Sequence, residues 1–168
     1  NGKPLWRFHT IPQPGEPGYE TWPPEAYTLA GGANAWAGVT VDPALAMVFA
    51  ATGSASFAFY GTTRQGDNLY SDTVLALDAR TGRRIWHFQG VKHDLWDWDF
   101  PAPPALVTVT RNGRPVEAVA PRRRLHPQAD HVGIRAFALH ARAPLAAIGD
   151  AAMALADARG LSGSGGRQ

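Results

Sequence analysis

The 168-residue sequence contains no cysteine, which excludes a disulfide framework and any thiolate metal site. It also has no uninterrupted apolar run of about 18 residues, the length that a membrane-spanning helix needs. No apolar segment typical of a secretory signal peptide is present. The first residue is Asn1 rather than Met. We therefore expect either a chain whose leader has been removed or an interior piece of a longer protein.

No strong charge of either sign is present, because 16 Lys and Arg face 14 Asp and Glu. The balance differs along the chain. Residues 1–120 carry nine basic and eleven acidic side chains, whereas residues 121–168 carry seven Arg and three Asp. No basic face with interleaved aromatic residues accompanies the Arg-rich part. We expect no nucleic-acid partner.

Short runs of alternating or β-branched residues separated by Gly, Pro and Asn turns dominate residues 1–120, and sustained helical periodicity is missing there. The predicted strands cover 36–42, 46–52, 72–78, 83–89, 105–110 and 114–120. A Pro43-Ala44-Leu45 link and an Asn112-Gly113 pair predict hairpins. Consecutive short antiparallel strands indicate an all-β sandwich, barrel or propeller.

One phrase occurs twice, as "GKPLW" (2–6) and "GRRIW" (82–86). The second copy ends a longer string, "ALDARTGRRIW", of the form A-x-D-x-x-x-G-x-x-x-W. We expect Asp78 to accept backbone N–H bonds, Gly82 to adopt positive φ and Trp86 to pack on a neighbouring sheet. A single ordinary hairpin is the alternative, but two copies favour a repeat. Their spacing exceeds a blade of about 40–50 residues, and the excess lies in loops 9–34 and 53–68.

Residues 121–168 differ in composition, being rich in Ala, Arg and Gly. The stretch "GDAAMALADARG" (149–160) predicts a short helix with Asp150 as N-cap, and "SGSGG" resembles a linker. Two interpretations stay open: an irregular, disordered extension, or a change of reading frame near Pro121.

The stretch "KHDLWDWDF" (92–100) places Asp94, Asp97 and Asp99 among large apolar side chains. Burying an unpaired carboxylate is costly. We therefore expect these aspartates either to perform chemistry or to satisfy backbone groups.

Together with "GGANAWAGVTVD", "GDNLYSDTVLALDARTGRRIWHFQ" and "HDLWDWDFPAPP", the repeat string makes residues 1–120 resemble the pyrroloquinoline quinone (PQQ) dependent alcohol and glucose dehydrogenases. These enzymes are eight-bladed propellers, and the repeat string matches their tryptophan-docking motif. The resemblance implies an all-β partial propeller of about one and a half four-stranded blades over 1–120. A tail over 121–168, irregular or helical, would follow. It also implies an interior fragment.

The resemblance assigns roles to three residues. Trp36 matches the tryptophan that forms the floor under the planar quinone. Asp97 matches the general base, which in some members is also a calcium ligand. Ser54 occupies a position where many members have a calcium-binding asparagine, so its shorter side chain departs from the pattern. PQQ and Ca²⁺ are thus the implied cofactors, with Ca²⁺ polarising the quinone.

Other positions are assigned structural roles or depart from the family pattern. Asp94 and Asp99 are interpreted as acceptors that hold the segment. His93 either orients Asp97 or bonds to backbone, and we favour the second, structural role. Arg124 stands 27 residues after Asp97, where relatives place a cation against the quinone, but the surrounding "PRRRLH" is not theirs. The acidic residue that completes the calcium site lies before Asn1 in relatives.

The implied function is oxidation of an alcohol or sugar by hydride transfer to PQQ. The resemblance further implies a periplasmic location and an electron acceptor, ubiquinone or cytochrome c, for the full-length parent. Two alternatives stay open: a non-catalytic propeller scaffold built from the same repeats, and an inactive truncation. Trp36 and "HDLWDWD" together favour the enzyme, since a scaffold does not need them.

Overall fold

Strands form most of the regular structure in the computed structural model, which describes residues 2–111, 113–122 and 137–138. The strands are β1 (Val39–Asp42), β2 (Met47–Ala51), β3 (Thr73–Asp78), β4 (Arg84–Gln89), β5 (Ala105–Arg111), β6 (Arg114–Ala120) and β7 (Phe137–Ala138). A one-turn helix, α1, covers Ala26–Leu29, and 3-10 turns cover Tyr19–Thr21 and Gly61–Arg64. None of the helices in these ranges is long and apolar enough to cross a membrane.

The strands form two antiparallel sheets. The first has the order β1-β2-β3-β4, and the second has the order β5-β6-β7. One complete four-stranded meander followed by part of another confirms the predicted all-β partial propeller. The short strand β7 falls inside 121–168, where the sequence predicts irregular or helical structure. The helix predicted over 149–160 lies outside the described residues.

The observed strands begin and end within one or two residues of the predicted ones, except at β1. That strand begins at Val39 rather than at residue 36, because the chain turns first. The N–H of Gly38 donates to the carbonyl of Ala35 at 3.1 Å, and Gly38 has φ +102°. The following hairpin forms as predicted, with Asp42 Oδ1 accepting from the N–H of Leu45 at 3.0 Å. The early turn leaves Trp36 outside the sheet.

A single apolar cluster joins the two sheets. It contains buried side chains from β2, β3 and β6 together with the residue that ends the "KHDLWDWDF" stretch: Met47, Phe49, Ala51, Val74, Ala76, Phe100 and Val119. Trp86 packs against this cluster, and its ring centroid lies 6.0 Å from that of Phe49. Trp86 thus contacts a core to which the neighbouring sheet contributes.

The turn between β3 and β4, which we call the docking turn (78–82), has the predicted geometry. Asp78 Oδ1 accepts from the N–H groups of Arg80 at 3.0 Å and Thr81 at 2.9 Å, and Gly82 has φ +71°. Trp6, from the first copy of the repeated phrase, lies over Gly82, where an added Cβ would be 2.5 Å from the indole. Its Nε1 donates to the carbonyl of Ala79 at 2.9 Å. The tryptophan of one copy therefore docks on the turn of the next.

Candidate functional site

The residues 93–99, which we call the site segment, follow β4 and are folded around one buried side chain. Asp94 is only 1 % exposed. Its Oδ1 accepts from the N–H of Trp96 at 2.9 Å, and its Oδ2 accepts from the N–H of Trp98 at 2.6 Å. These bonds confirm that Asp94 satisfies backbone groups, and they close the segment into a tight turn.

Asp97 lies in the middle of this turn, with φ +59°. The left-handed region is uncommon for a residue with a Cβ and is maintained only where its surroundings enforce it. Asp97 is partly exposed. Among the described residues its carboxylate has no hydrogen-bond or ion-pair partner. No other described residue therefore occupies the carboxylate of the residue predicted to be the general base.

Trp36 and Asp99 flank the backbone of Gly53. A Cβ added to Gly53 would lie 2.4 Å from Asp99 Oδ1 and 2.8 Å from Trp36 Nε1. The N–H of Ser54 donates to Asp99 Oδ1 at 2.6 Å, which ties the site segment to the end of β2. The Trp36 indole is 54 % exposed, and no other ring in the described ranges stacks on it. The structure thus brings a bare aromatic surface and the site segment to the same glycine.

Several large apolar side chains on the loops around this glycine are also exposed. The exposed fraction is 74 % for Phe59, 71 % for Trp96 and 69 % for Phe57. The others are Tyr60 and Leu95. They lie on the loop that follows Gly53 and on the site segment.

The Ser54 hydroxyl faces two buried carboxyl groups rather than Asp97. Its Oγ lies 3.1 Å from Asp72 Oδ1 and also contacts Asp94 Oδ2. A hydroxyl has one proton and can donate to only one of the two oxygens. For both contacts to be attractive, one carboxyl group must hold a proton and donate it to Ser54.

Asp72 is the group that fits this requirement. It is fully buried, and its Oδ2 has no hydrogen-bond partner. Burial raises its pKa to about 7, and the neighbouring charges of Asp94 and Asp99 contribute to that rise. In its protonated form Asp72 can donate to Ser54, which can then donate to Asp94. The three side chains form one buried hydrogen-bond chain beneath the site.

This chain of bonds bears on the predicted calcium ligands. The Ser54 oxygen is already used by two carboxyl groups, and the structure shows no contact between Ser54 and Asp97. In the described part of the chain, no three His, Cys, Asp or Glu side chains gather as a metal site would require. These residues do not fit a calcium site by themselves. The metal-binding roles of Ser54 and Asp97 stay predictions.

The two remaining sequence assignments have different outcomes. The ring Nδ1 of His93 lies 3.0 Å from the carbonyl oxygen of Gly66. The backbone N–H of His93 donates to the carbonyl of Asp67 at 3.2 Å. His93 is therefore bonded to backbone, as predicted. Arg124 lies outside the described residues, so its interpretation stays untested.

Sequence reasoning missed three residues of this region: Gly53, Arg64 and Asp72. Arg64 is 1 % exposed, and its guanidinium donates to the carbonyl of Asp94. One sequence feature pointed to Asp72, because a charged residue directly before the apolar strand β3 is unusual. Nothing local distinguishes Gly53 or Arg64, because their partners are distant in sequence.

Residues 1–124 match one protein-family model, described as "PQQ: Glucose/ethanol/alcohol dehydrogenase, beta-propeller domain". Among curated proteins, the chain is 40 % identical over 107 residues to a quinate/shikimate dehydrogenase (quinone) of Acinetobacter baylyi. That match covers 63 % of this chain and 13 % of the relative. The chain is also 34 % identical over 120 residues to the quinoprotein glucose dehydrogenase of Escherichia coli. That match covers 70 % of this chain and 15 % of the relative. The chain therefore spans only a small part of the length of these relatives.

Solved structures of the same kind resemble the fold. The quinohemoprotein alcohol dehydrogenase of Comamonas testosteroni aligns with TM-score 0.62 at 28 % identity, over 71 % of this chain and 20 % of that one. A europium-containing methanol dehydrogenase aligns with TM-score 0.58 at 29 % identity, over 68 % of this chain and 19 % of that one. Sequence and fold thus point to the same group of proteins.

Proposed function

Because the chain belongs to the PQQ-dependent glucose/ethanol/alcohol dehydrogenase family, we propose that it supplies part of the active site of a quinoprotein that oxidises an alcohol or a sugar. One observation carries the proposal. The exposed indole of Trp36 and the segment bearing Asp97 meet at Gly53, through Asp99. A planar cofactor and a proton acceptor are what this oxidation needs side by side.

Trp36 is proposed to hold the quinone. A large rigid ring stacks on a flat aromatic ligand with little loss of conformational freedom. The indole is held away from the sheet by the turn at Gly38 and borders the open backbone of Gly53. PQQ, when bound, would supply the acceptor for the hydride that leaves the substrate carbon.

Asp97 is proposed to take the proton of the substrate hydroxyl. As that O–H bond breaks, its proton passes to the Asp97 carboxylate, and the carbon becomes a carbonyl as the hydride departs. The partly exposed, unpaired side chain on a backbone fixed by Asp94 suits this role.

The rest of the proposal concerns the larger enzyme. Calcium would need ligands beyond Ser54 and Asp97, since no three carboxylate or imidazole side chains gather among the described residues. One structural neighbour is named as europium-containing, which supports a metal in the group. We propose an alcohol or sugar as substrate, since the relatives are named for glucose, alcohol and quinate. Ubiquinone or cytochrome c as electron acceptor and a periplasmic location complete the proposal.

Titration of the chain with PQQ, followed by tryptophan fluorescence, tests the cofactor site. We expect saturable quenching in the wild-type chain and in Asp97→Asn, and loss of saturable quenching in Trp36→Ala. Dye-linked oxidation of an alcohol, if the loaded chain supports it, should be lost in Asp97→Asn although the quinone still binds. This split separates the stacking role from the proton-accepting role.

Two outcomes would count against the proposal. Equal quenching in the wild-type and Trp36→Ala chains would mean that the quinone does not stack on Trp36. Absence of binding by the wild-type chain, with calcium present or absent, would support the scaffold or an inactive remnant instead.

A further inference from the structure

Arg64 is a charged side chain enclosed almost completely by protein. It ends the 3-10 turn Gly61–Arg64 and is 1 % exposed. Its Nη1 donates to Asn68 Oδ1 at 2.7 Å. Its Nη2 reaches three carbonyl oxygens, those of Asp94, Ala58 at 3.2 Å and Phe57 at 3.3 Å. Arg64 therefore links loop 53–60, its own turn and the site segment.

The contact with the site segment is made to backbone, at the residue from which the segment folds. Arg64 holds the carbonyl of Asp94, while the Asp94 carboxylate holds the N–H groups of Trp96 and Trp98. Asp97 lies between those two N–H groups with φ +59°. The position of Asp97 thus depends on Arg64 through one intermediate residue.

General stability is a poor explanation for such a residue. Burying a guanidinium is costly unless it is fully paired, and the Nε of Arg64 has no partner. Among the described residues it forms no direct salt bridge; the charges of Asp94 and Asp72 act on it from farther away. The planar fork of donors does what lysine cannot, since it reaches several oxygens in fixed directions.

We propose that Arg64 is a positioning residue that holds Asp97 in its left-handed turn, through the carbonyl of Asp94. This deepens the function proposed above, because it concerns the same aspartate. It assigns Arg64 no contact with substrate or quinone.

Amide hydrogen exchange measured by NMR on the full chain without quinone tests the proposal in Arg64→Ala. We expect the Trp96 and Trp98 amides to exchange about tenfold faster or more, with the amides of β2 and β3 unchanged. The ¹³C resonance of the Asp97 carboxyl, assigned with Asp97→Asn, should shift or broaden. Millimolar guanidinium should restore both signals by filling the vacated site. Arg83→Ala, at an exposed arginine directly after the docking turn, is the matched control and should change none of them.

Two results would overturn the proposal. Faster exchange throughout β2 and β3 would show that Arg64 supports the whole fold, and unchanged Trp96 and Trp98 amides would show that it does not hold the segment. Because no quinone is present, failure of the PQQ titration leaves this test unaffected.

Discussion

The docking turn and the site segment use the same parts in different surroundings. Each contains an aspartate that accepts backbone N–H bonds, Asp78 in one and Asp94 in the other, and each adjoins a glycine bordered by a tryptophan. The Asp78 side chain is partly exposed and bonds only within its own turn. Asp94 is buried and also contacts Ser54 and Arg64, at separations of 40 and 30 residues. The comparison shows that an aspartate turn can be held by its own residues in one place, whereas in another the same kind of turn depends on contacts with residues distant in sequence.

Removing the buried aspartate should have the largest effect on folding. Asp94→Ala leaves the Trp96 and Trp98 N–H groups unpaired and removes a charge that opposes Arg64. We expect a loss of about 2–6 kcal/mol in the free energy of unfolding, because each of two buried backbone donors left unsatisfied costs about 1–3 kcal/mol. Urea denaturation of the chain measures it.

A matched aspartate makes the comparison quantitative. Asp67 pairs with Lys92 at 2.5 Å on the surface, and such pairs contribute about 0–1 kcal/mol. Asp67→Ala should therefore be nearly neutral. Equal losses in Asp94→Ala and Asp67→Ala would contradict the importance assigned to the buried network.

The buried hydrogen-bond chain should also give the protein an unusual pH dependence. The pKa of Asp72 is raised to about 7 from its ordinary value of 3.8. The folded state therefore binds more protons than the unfolded state between these values, and stability is lost as pH rises through that window. The contribution is at most about 4 kcal/mol, from about 1.4 kcal/mol per pKa unit. Asp72→Asn should abolish this pH dependence of the stability.

The quantity to measure is the difference in the free energy of unfolding between wild type and Asp72→Asn, at pH 5 and at pH 8. Burial lowers the pKa of His87 to about 4, so His87 adds the opposite slope below its ordinary pKa, since its folded form resists protonation. That slope is common to both chains and cancels in the difference. Parallel stability profiles for the two chains would show that Asp72 does not hold the proton.

The sequence predicted the parts of this molecule that depend on local chemistry. Alternation placed the strands, and the A-x-D-x-x-x-G string placed the docking turn, because Asp78 and Gly82 act within five residues. Asp94 was correctly expected to satisfy backbone groups. The partners of Ser54 were not predictable, because Asp72 and Asp94 are 18 and 40 residues away. A buried arginine such as Arg64 contradicts ordinary expectations of burial, so only the structure reveals it.

Two glycines outside both regions, Gly53 and Gly31, allow a test of the proposed quinone site. Gly53 does not have positive φ, so an added methyl group causes no backbone strain there, but it would meet Asp99 and the Trp36 indole. We expect Gly53→Ala to weaken PQQ binding about tenfold or more by displacing the stacking surface. Gly31→Ala is the control, because its Cβ would meet nothing closer than Ser56 Oγ at 3.7 Å. Equal affinity in both variants would place the quinone elsewhere.

The smallest effect is expected at the docking turn, where the aspartate acts alone. The N–H and hydroxyl of Thr81 lower the pKa of Asp78, and the N–H of Arg80 acts in the same direction. Its contribution is therefore present above its ordinary pKa and is lost as pH falls, the opposite of Asp72. Asp78→Asn should lower the Tm by a few degrees at most at pH 7, with a smaller difference at pH 3. A larger loss than that of Asp94→Ala would mean that docking of Trp6 on this turn, and not the buried network, limits the stability of the chain.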